Sequence, residues 1–140
     1  MRVFLDTNIL VYLYDADAPE KQECARGRFE EVASAGRVLL STQVLQEFYV
    51  GVTRKLAVPL DPKDAEDVVR QLSKLPVVPT DADRVLSAIR RSRRHRLSFW
   101  DALIVECALA GGGTRLLSED LQAGRIIEGL TVENPFSEKP

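Results

Sequence analysis

MRVFLDTN, residues 1 to 8, is the stretch from which the fold is read. Val3, Phe4 and Leu5 form an unbroken apolar run with no polar alternation, the pattern of a strand covered on both faces, as in a parallel sheet. Asp6 stands at the carboxyl end of that strand, followed by Thr7 and Asn8. In open α/β sheets ligands bind along that edge, which makes the acid a site candidate. A second reading is equally available. Asp, Thr and Asn all cap helices, and Ile9, Leu10 and Leu13 have the spacing of a helix that starts there. The residue alone does not choose between the two.

Outward from this stretch, helical and strand patterns alternate. Thr7 to Tyr14 reads as a short helix, and Glu20 to Ala35 as an amphipathic one stopped by Gly36. Val38 to Leu40 is a second buried strand. A helix runs from Thr42 to Leu56 and closes at Pro59 and Pro62, and another runs from Asp61 or Pro62 to Leu75. Val77 and Val78 form a brief strand before a helix from Asp81 to His95, capped by Thr80. Ser98 opens the helix Phe99 to Ala110, which is apolar all round and belongs in the interior, Phe99 and Trp100 included. Arg115 to Leu117 and Leu130 to Glu133 are the last strands, ahead of a proline-bearing tail. The expectation is one α/β domain over residues 1 to 140 with a small parallel sheet.

Composition narrows the function classes. The chain has 140 residues, 45% of them hydrophobic and 29% charged, enough for one ordinary core. No apolar run is long enough for a bilayer span or a signal sequence, so a soluble, cytoplasmic protein is expected. Cys24 and Cys107 lie far apart in helical patterns, with no CxxC spacing and only one histidine to join them, which suits buried thiols rather than a zinc site. A net charge of −2 argues against binding nucleic acid through overall charge. The distribution is uneven, however: Arg90, Arg91, Arg93, Arg94, His95 and Arg96 crowd into one segment.

Three further acids have positions like that of Asp6. Glu47 lies inside a helix beside Val44 and Phe48, either as a solvated flank residue or as part of a site. Asp101 comes three residues after Ser98, as in a capping box, on the opening turn of the most buried helix. Asp120 follows a strand through Ser118 and Glu119, where an acid on the first turn of a helix would also be expected. If the four converge, their repulsion is large: two carboxylates about 4 Å apart at an effective dielectric near 20 repel by roughly 4 kcal/mol. Such a group stays separated, stays partly protonated, or holds a cation. Oxygen donors without histidine or thiolate favour Mg²⁺, with Mn²⁺ as a substitute.

FLDTN around Asp6, the helical Glu47, SFWDALIVECA around Asp101 and LLSEDLQ around Asp120 together resemble the PIN domain, and within it the VapC-type toxins of toxin–antitoxin pairs. The resemblance spans nearly the whole chain, to the closing VENPF. It implies a three-layer α/β/α fold and a metal-dependent ribonuclease that hydrolyses phosphodiester bonds with metal-activated water. Asp6, Glu47, Asp101 and Asp120 match the family's four acids and its metal ligands, Asp6 and Asp101 foremost, with Asn8 and Ser118 in support. The implied partners are RNA, a homodimer mate, and an antitoxin that threads a segment into the acidic groove. Arg90, Arg93 and Arg94 are candidates for holding the substrate backbone, against the reading of a solvated helix end whose cations suit the dipole. Two alternatives stay open. One is a phosphoaspartyl phosphohydrolase using Asp6, although the second Asp it wants falls at Asn8. The other is a silent binding module whose acidic pocket accepts a basic peptide. His95 is expected to be a surface residue, not a general base.

Overall fold

The computed structural model describes residues 1 to 137, so the end of the proline-bearing tail lies outside the described residues. In order, the elements are β1 (Arg2–Leu5), α1 (Thr7–Tyr12), α2 (Pro19–Ser34), β2 (Val38–Ser41) and α3 (Thr42–Val50). A single π-helical turn (Gly51–Lys55) follows. Then come α4 (Pro62–Leu72), β3 (Val77–Val78), α5 (Ala82–His95), α6 (Phe99–Ala110), β4 (Gly113–Leu117), β5 (Ile126–Ile127) and β6 (Leu130–Glu133). Among the described residues the strands form one sheet in the order β3-β2-β1-β4-β6-β5. All pairings are parallel except that of β5 with β6.

The apolar run after Met1 explains why β1 is central. Phe4 and Leu5 are fully buried, and β1 pairs with β2 on one side (Phe4 with Leu39) and β4 on the other (Phe4 with Leu116, Leu5 with Leu117). The chain leaves β1 toward β2 and β3, then returns to lay β4 on β1's opposite edge. Right-handed crossovers in the two directions put α1 to α4 on one face of the sheet and α5 and α6 on the other, which gives the three layers. The reversal also opens a crevice at the carboxyl ends of β1 and β4, the topological switch point of such a sheet.

α6 packs against β2, β4 and β6, with α5 laid over it. Residues Ala102 to Ala108 are all buried, as its all-round apolar sequence requires. Its first turn is different. Trp100, expected in the core, is 62% exposed, whereas Phe99 on the same turn is half-buried against the core. Cys107 is buried as expected, and burial pushes its thiol up to about 11, which makes it unreactive. Cys24 is only half-buried and donates to the Pro135 carbonyl at 3.0 Å.

Other differences are local. The helix expected through Leu56 stops at Val50 and continues as the π-helical turn, where the Gly51 Cα approaches the Val11 side chain closely. No helix follows β4: residues 118 to 125 form turns and lead to β5, a two-residue strand with no periodicity to read. Glu128 and Gly129, both at positive φ (51° and 89°), close the β5–β6 hairpin in the manner of a type I′ turn.

At the end of α6 the packing is close enough to specify glycine. A Cβ on Gly111 would lie 2.6 Å from Leu39 Cδ2 and 2.9 Å from Val78 Cγ2, both in the core. Gly111→Ala is therefore expected to lower stability by about 1 to 3 kcal/mol, the usual cost of overpacking, as measured by urea denaturation.

Candidate functional site

The three residues after β1 organise the site, each through a different contact. Asp6 is 5% exposed; its Oδ1 accepts from the Thr7 N–H (2.7 Å) as the cap of α1, and its Oδ2 accepts from Ser118 Oγ (2.8 Å). Ser118 follows β4, so this bond spans the crevice between the two strand ends. The same Ser118 oxygen accepts from the N–H groups of Asp120 (3.1 Å) and Leu121 (3.4 Å), which shapes the loop carrying the last acid. Thr7 Oγ1 donates to Glu47 Oε1 at 2.7 Å, and Gln43, one turn earlier on α3, donates to Glu47 Oε2 at 3.2 Å. Asn8 Nδ2 donates to Asp120 Oδ1 at 3.3 Å. Cap and site residue were posed as alternatives for Asp6; it serves as a cap and also stands among the other acids.

Asp101 enters from the opposite layer, on the first turn of α6, where its N–H donates to the Ser98 cap at 3.1 Å. Its carboxyl is shifted upward, first by burial and then by the charges of Asp120 and Glu47, against the Ser98 contact that lowers it. Asp6 is raised further, from the ordinary 3.8 to about 6. Burial is the main cause; the Ser118 and Thr7 hydrogen bonds oppose it, and Asp120 and Glu47 add to it. Asp6 and Asp101 thus both feel the charges of Glu47 and Asp120, across four separate segments.

Their neutralisation sets them apart. Glu106, missed in the sequence because it sits in the apolar stretch of α6, is 5% exposed but contacts Arg91 and lies 3.4 Å from Arg84. Glu128 takes Arg91 at 2.8 Å and His95 at 3.0 Å, which hold its carboxyl down at about 2. Glu119, beside the site, is paired with Lys21 and accepts from Tyr12 (2.8 Å) and Asn8 (3.4 Å). Among the described residues no lysine, arginine or histidine forms an ion pair with Asp6, Glu47, Asp101 or Asp120. Nor do three acid, thiol or imidazole groups among those residues converge tightly enough to form a finished metal cage. The donor chemistry nevertheless fits a hard divalent cation, since every side-chain donor is a carboxylate, hydroxyl or amide and the charge is uncompensated.

The arginine segment divides. Arg91 turns inward to Glu106 and Glu128, and His95 is held by Glu128, with its carbonyl accepting from Arg125 (2.7 Å). Arg90 is exposed and donates to Ser87; Arg93 and Arg94 are exposed, without an ion pair among the described residues. None of the three contacts the acids. Residues that sequence reasoning left out of the site are Thr7 and Gln43, which fix Glu47, and the Glu119–Lys21 pair beside Asn8. A threonine after a capping acid reads only as helix start, so its long-range contact had no local signal.

Strand order, switch-point acids and the layer arrangement define the class. The chain belongs to the PIN domain family, whose model matches residues 3 to 128. Its solved structural neighbours are VapC toxins and toxin–antitoxin complexes. A toxin–antitoxin complex from Klebsiella pneumoniae has a TM-score of 0.71 at 20% identity, covering 99% of this chain and 100% of that one. VapC20 of Mycobacterium tuberculosis, described as a sarcin–ricin loop cleaving toxin, has a TM-score of 0.65 at 22% identity over 84% of this chain and 91% of that one. VapBC2 of Rickettsia felis, bound to a DNA fragment from its promoter, has 0.66 at 22% identity over 96% and 98%. At these identities the likeness is one of fold. No curated protein matches the chain at a significant level.

The Asp6 shift has a signed consequence. Between pH 3.8 and about 6 the folded chain binds more protons at Asp6 than the unfolded chain does, so this group makes stability fall as pH rises through that window, by roughly 3 kcal/mol. Glu128 acts oppositely, its contribution being lost only as pH falls from 4.5 toward 2. Urea denaturation in chelator from pH 4 to 7 is expected to show a component of declining stability that Asp6→Asn removes.

Proposed function

We propose that this chain is a metal-dependent ribonuclease of the VapC toxin kind, hydrolysing RNA phosphodiester bonds at the crevice between β1 and β4. The observation that carries the reading is that buried Asp6 and half-buried Asp101 each have a carboxyl raised by burial and by the charges of exposed Glu47 and Asp120, with no ion pair to any of the four among the described residues, whereas Glu106, as buried as Asp6, has two arginines. Asp6, Glu47, Asp101 and Asp120 would hold Mg²⁺, with Mn²⁺ as a substitute. When bound, the ion supplies an activated water at neutral pH and stabilises charge on the departing oxygen.

The chain's own residues hold the donors still. The Thr7 N–H and Ser118 Oγ take one lone pair on each Asp6 oxygen and fix the plane of its carboxylate. Thr7 Oγ1 and Gln43 hold the two Glu47 oxygens, and Asn8 orients Asp120. With a carboxyl shifted to about 6, Asp6 is ionised above neutral pH even before any cation arrives. Arg90, Arg93 and Arg94 steer the polyanionic substrate from outside the crevice. VapC20's description as a sarcin–ricin loop cleaving toxin supports RNA as substrate, and the crystallised toxin–antitoxin complexes support an antitoxin partner that offers a basic side chain to the acids. Exposed Tyr49 and Val50, bordering an apolar groove with Leu45, Pro62 and Val69, give a second copy a surface to pack on.

Asp6→Asn and Asp101→Asn are each expected to lower Mg²⁺-dependent cleavage of total cellular RNA by more than about 100-fold, and chelator to abolish it. Thr7→Val, which keeps the backbone N–H on Asp6 and removes only the hydroxyl on Glu47, should cost roughly 10- to 100-fold. Unchanged cleavage in folded Asp6→Asn overturns the assignment. Absent turnover with tight binding of a basic peptide marks a silent acid pocket instead. If the arginines steer substrate, neutralising Arg93 and Arg94 together should flatten the salt dependence of RNA binding by roughly two phosphate contacts, read from log Kd against log salt.

A further inference from the structure

Asp120 has less of a scaffold than the other three acids. Asp6, Glu47 and Asp101 are carried by the cap of α1, by α3 and by α6, whereas Asp120 stands in a run of bends and turns, residues 118 to 125. Its carboxylate is held by the Asn8 side chain, which donates to Asp120 Oδ1 at 3.3 Å and to Glu119 Oε1 at 3.4 Å. A carboxamide nitrogen has two N–H groups, so an acid for each fixes the plane of the Asn8 amide. Asn8 aims at Asp120 only as well as Glu119 is itself held.

Glu119 is held from three places. Asn8 and Tyr12 are four residues apart on α1 and share a face, and the Tyr12 hydroxyl donates to the same Glu119 Oε1 at 2.8 Å. Lys21, near the start of α2, pairs with Glu119 Oε2 and donates to the Tyr12 hydroxyl at 3.1 Å. The third place is the segment after β6. β6 runs parallel to β4 with Glu133 opposite Leu117, so residues 134 to 136 leave the sheet at the edge where Ser118 to Asp120 begin. Phe136 meets the Tyr12 ring edge-on, with centroids 4.9 Å apart, and the Lys21 ammonium stands 5.0 Å from the Tyr12 ring centre and 5.7 Å from that of Phe136. Both distances lie within the range over which an aromatic ring attracts a cation. The segment is tied down in turn: Cys24 Sγ donates to the Pro135 carbonyl at 3.0 Å, and Asn134 Oδ1 accepts from the Phe136 N–H at 2.9 Å. A lysine on its flexible stem is poorly localised by one carboxylate; two rings and a hydroxyl confine this one.

We propose that Glu119 is a positioning residue for the acid site, locked by Lys21, Tyr12 and Phe136, so that the closing segment of the chain sets how firmly Asp120 is held and how tightly the acids take a divalent cation. This rests on the reading of Asp120 as a cation donor and adds the residues that keep it in place. Glu119 is not itself a donor, since its two oxygens are taken by Asn8, Tyr12 and Lys21. Contact passes from Phe136 to Lys21 and Tyr12, from these to Glu119, and through Asn8 to Asp120.

The sign of one charge change makes the test decisive. Mn²⁺ is titrated into the full chain without RNA, and its Kd is read by calorimetry. Lys21→Met adds one net negative charge beside the acids, which by charge alone tightens cation binding. Because Lys21 acts by locking Glu119, binding is expected to weaken instead, by about 10-fold, the scale usual for a residue that orients a metal ligand. Phe136→Leu and Tyr12→Phe leave every charge in place and should weaken it about 3- to 10-fold, and Lys21→Arg should keep the parent's affinity to within about 3-fold. Urea midpoints of the same proteins separate this from unfolding, and Tyr12→Phe, which removes a single oxygen, carries the test should Phe136→Leu not fold. In cleavage assays Lys21→Met should raise the Mg²⁺ concentration for half-maximal rate about 10-fold, with most of kcat recovered at saturating Mg²⁺. Tighter Mn²⁺ binding in Lys21→Met overturns the proposal and assigns Glu119 to the donors themselves. A parent chain that binds no Mn²⁺ overturns both readings. Mn²⁺ binding that depends on Lys21 and Tyr12, without RNA cleavage, sinks the ribonuclease reading alone. Parent-like affinity in Lys21→Met and in Tyr12→Phe, with cleavage intact, sinks this one alone.

Discussion

Everything at the crevice depends on keeping Asp6 charged in a place where charge is unfavourable. The carboxylate is buried at the end of a central strand, and burial alone drives it toward its neutral form. Two hydrogen bonds resist: one from the helix that starts at Thr7, the other from Ser118 across the gap to β4. The first is local to the helix cap, but the second depends on the sheet order, because only the placement of β4 on β1 brings residue 118 to residue 6. The strand pairing therefore sets an ionisation state as well as a shape. With its carboxyl near 6, the outcome is a group poised between forms and sensitive to any further charge that arrives.

The rest of the molecule handles its charges differently, and the contrast carries the functional argument. Glu106 is as buried as Asp6, yet it lies between Arg84 and Arg91, and Arg91 goes on to Glu128. A buried carboxylate with two guanidinium partners satisfies the condition under which an internal ion pair is tolerated. That network ties α5 to α6 and to the β5–β6 turn, and it uses up Arg91 near the start of the basic segment. Lys21, the cation nearest the crevice by its contacts, is taken up by Glu119 and not by the four acids, none of which forms an ion pair among the described residues. The charges of Glu47 and Asp120 instead add to the upward shift of Asp6 and Asp101.

Much of this was legible in the sequence, for reasons that differ by residue. The run Val3 to Leu5 could be read because a strand covered on both faces has no polar alternation, and α6 because no helix on a surface is apolar all round. The order of the four acids was legible only through family resemblance; residue by residue, each had an ordinary reading as cap or flank. What stayed hidden is non-local. Thr7 looks like a helix start until α3 is laid beside it, and Glu106 looks like an anomaly until α5 brings its arginines. The β5–β6 hairpin and the π-helical turn are too short to show a period. Trp100 was misplaced because a helix apolar all round has no periodicity to tell which side of its first turn meets the core: Phe99 packs there and Trp100 does not.

That last error points to a general feature of the fold. α6 is buried along its length against β2, β4 and β6, but its amino-terminal turn lies beside the short connection from α5, ahead of the covered stretch. On that turn the two sides of the helix part: Phe99 packs against the core and meets the Trp100 ring edge-on, Trp100 is exposed, and Ala102, on the other side of Asp101, is fully buried. Asp101 therefore stands half-buried where the helix passes from solvent into the core, and that burial is the first cause of its raised carboxyl.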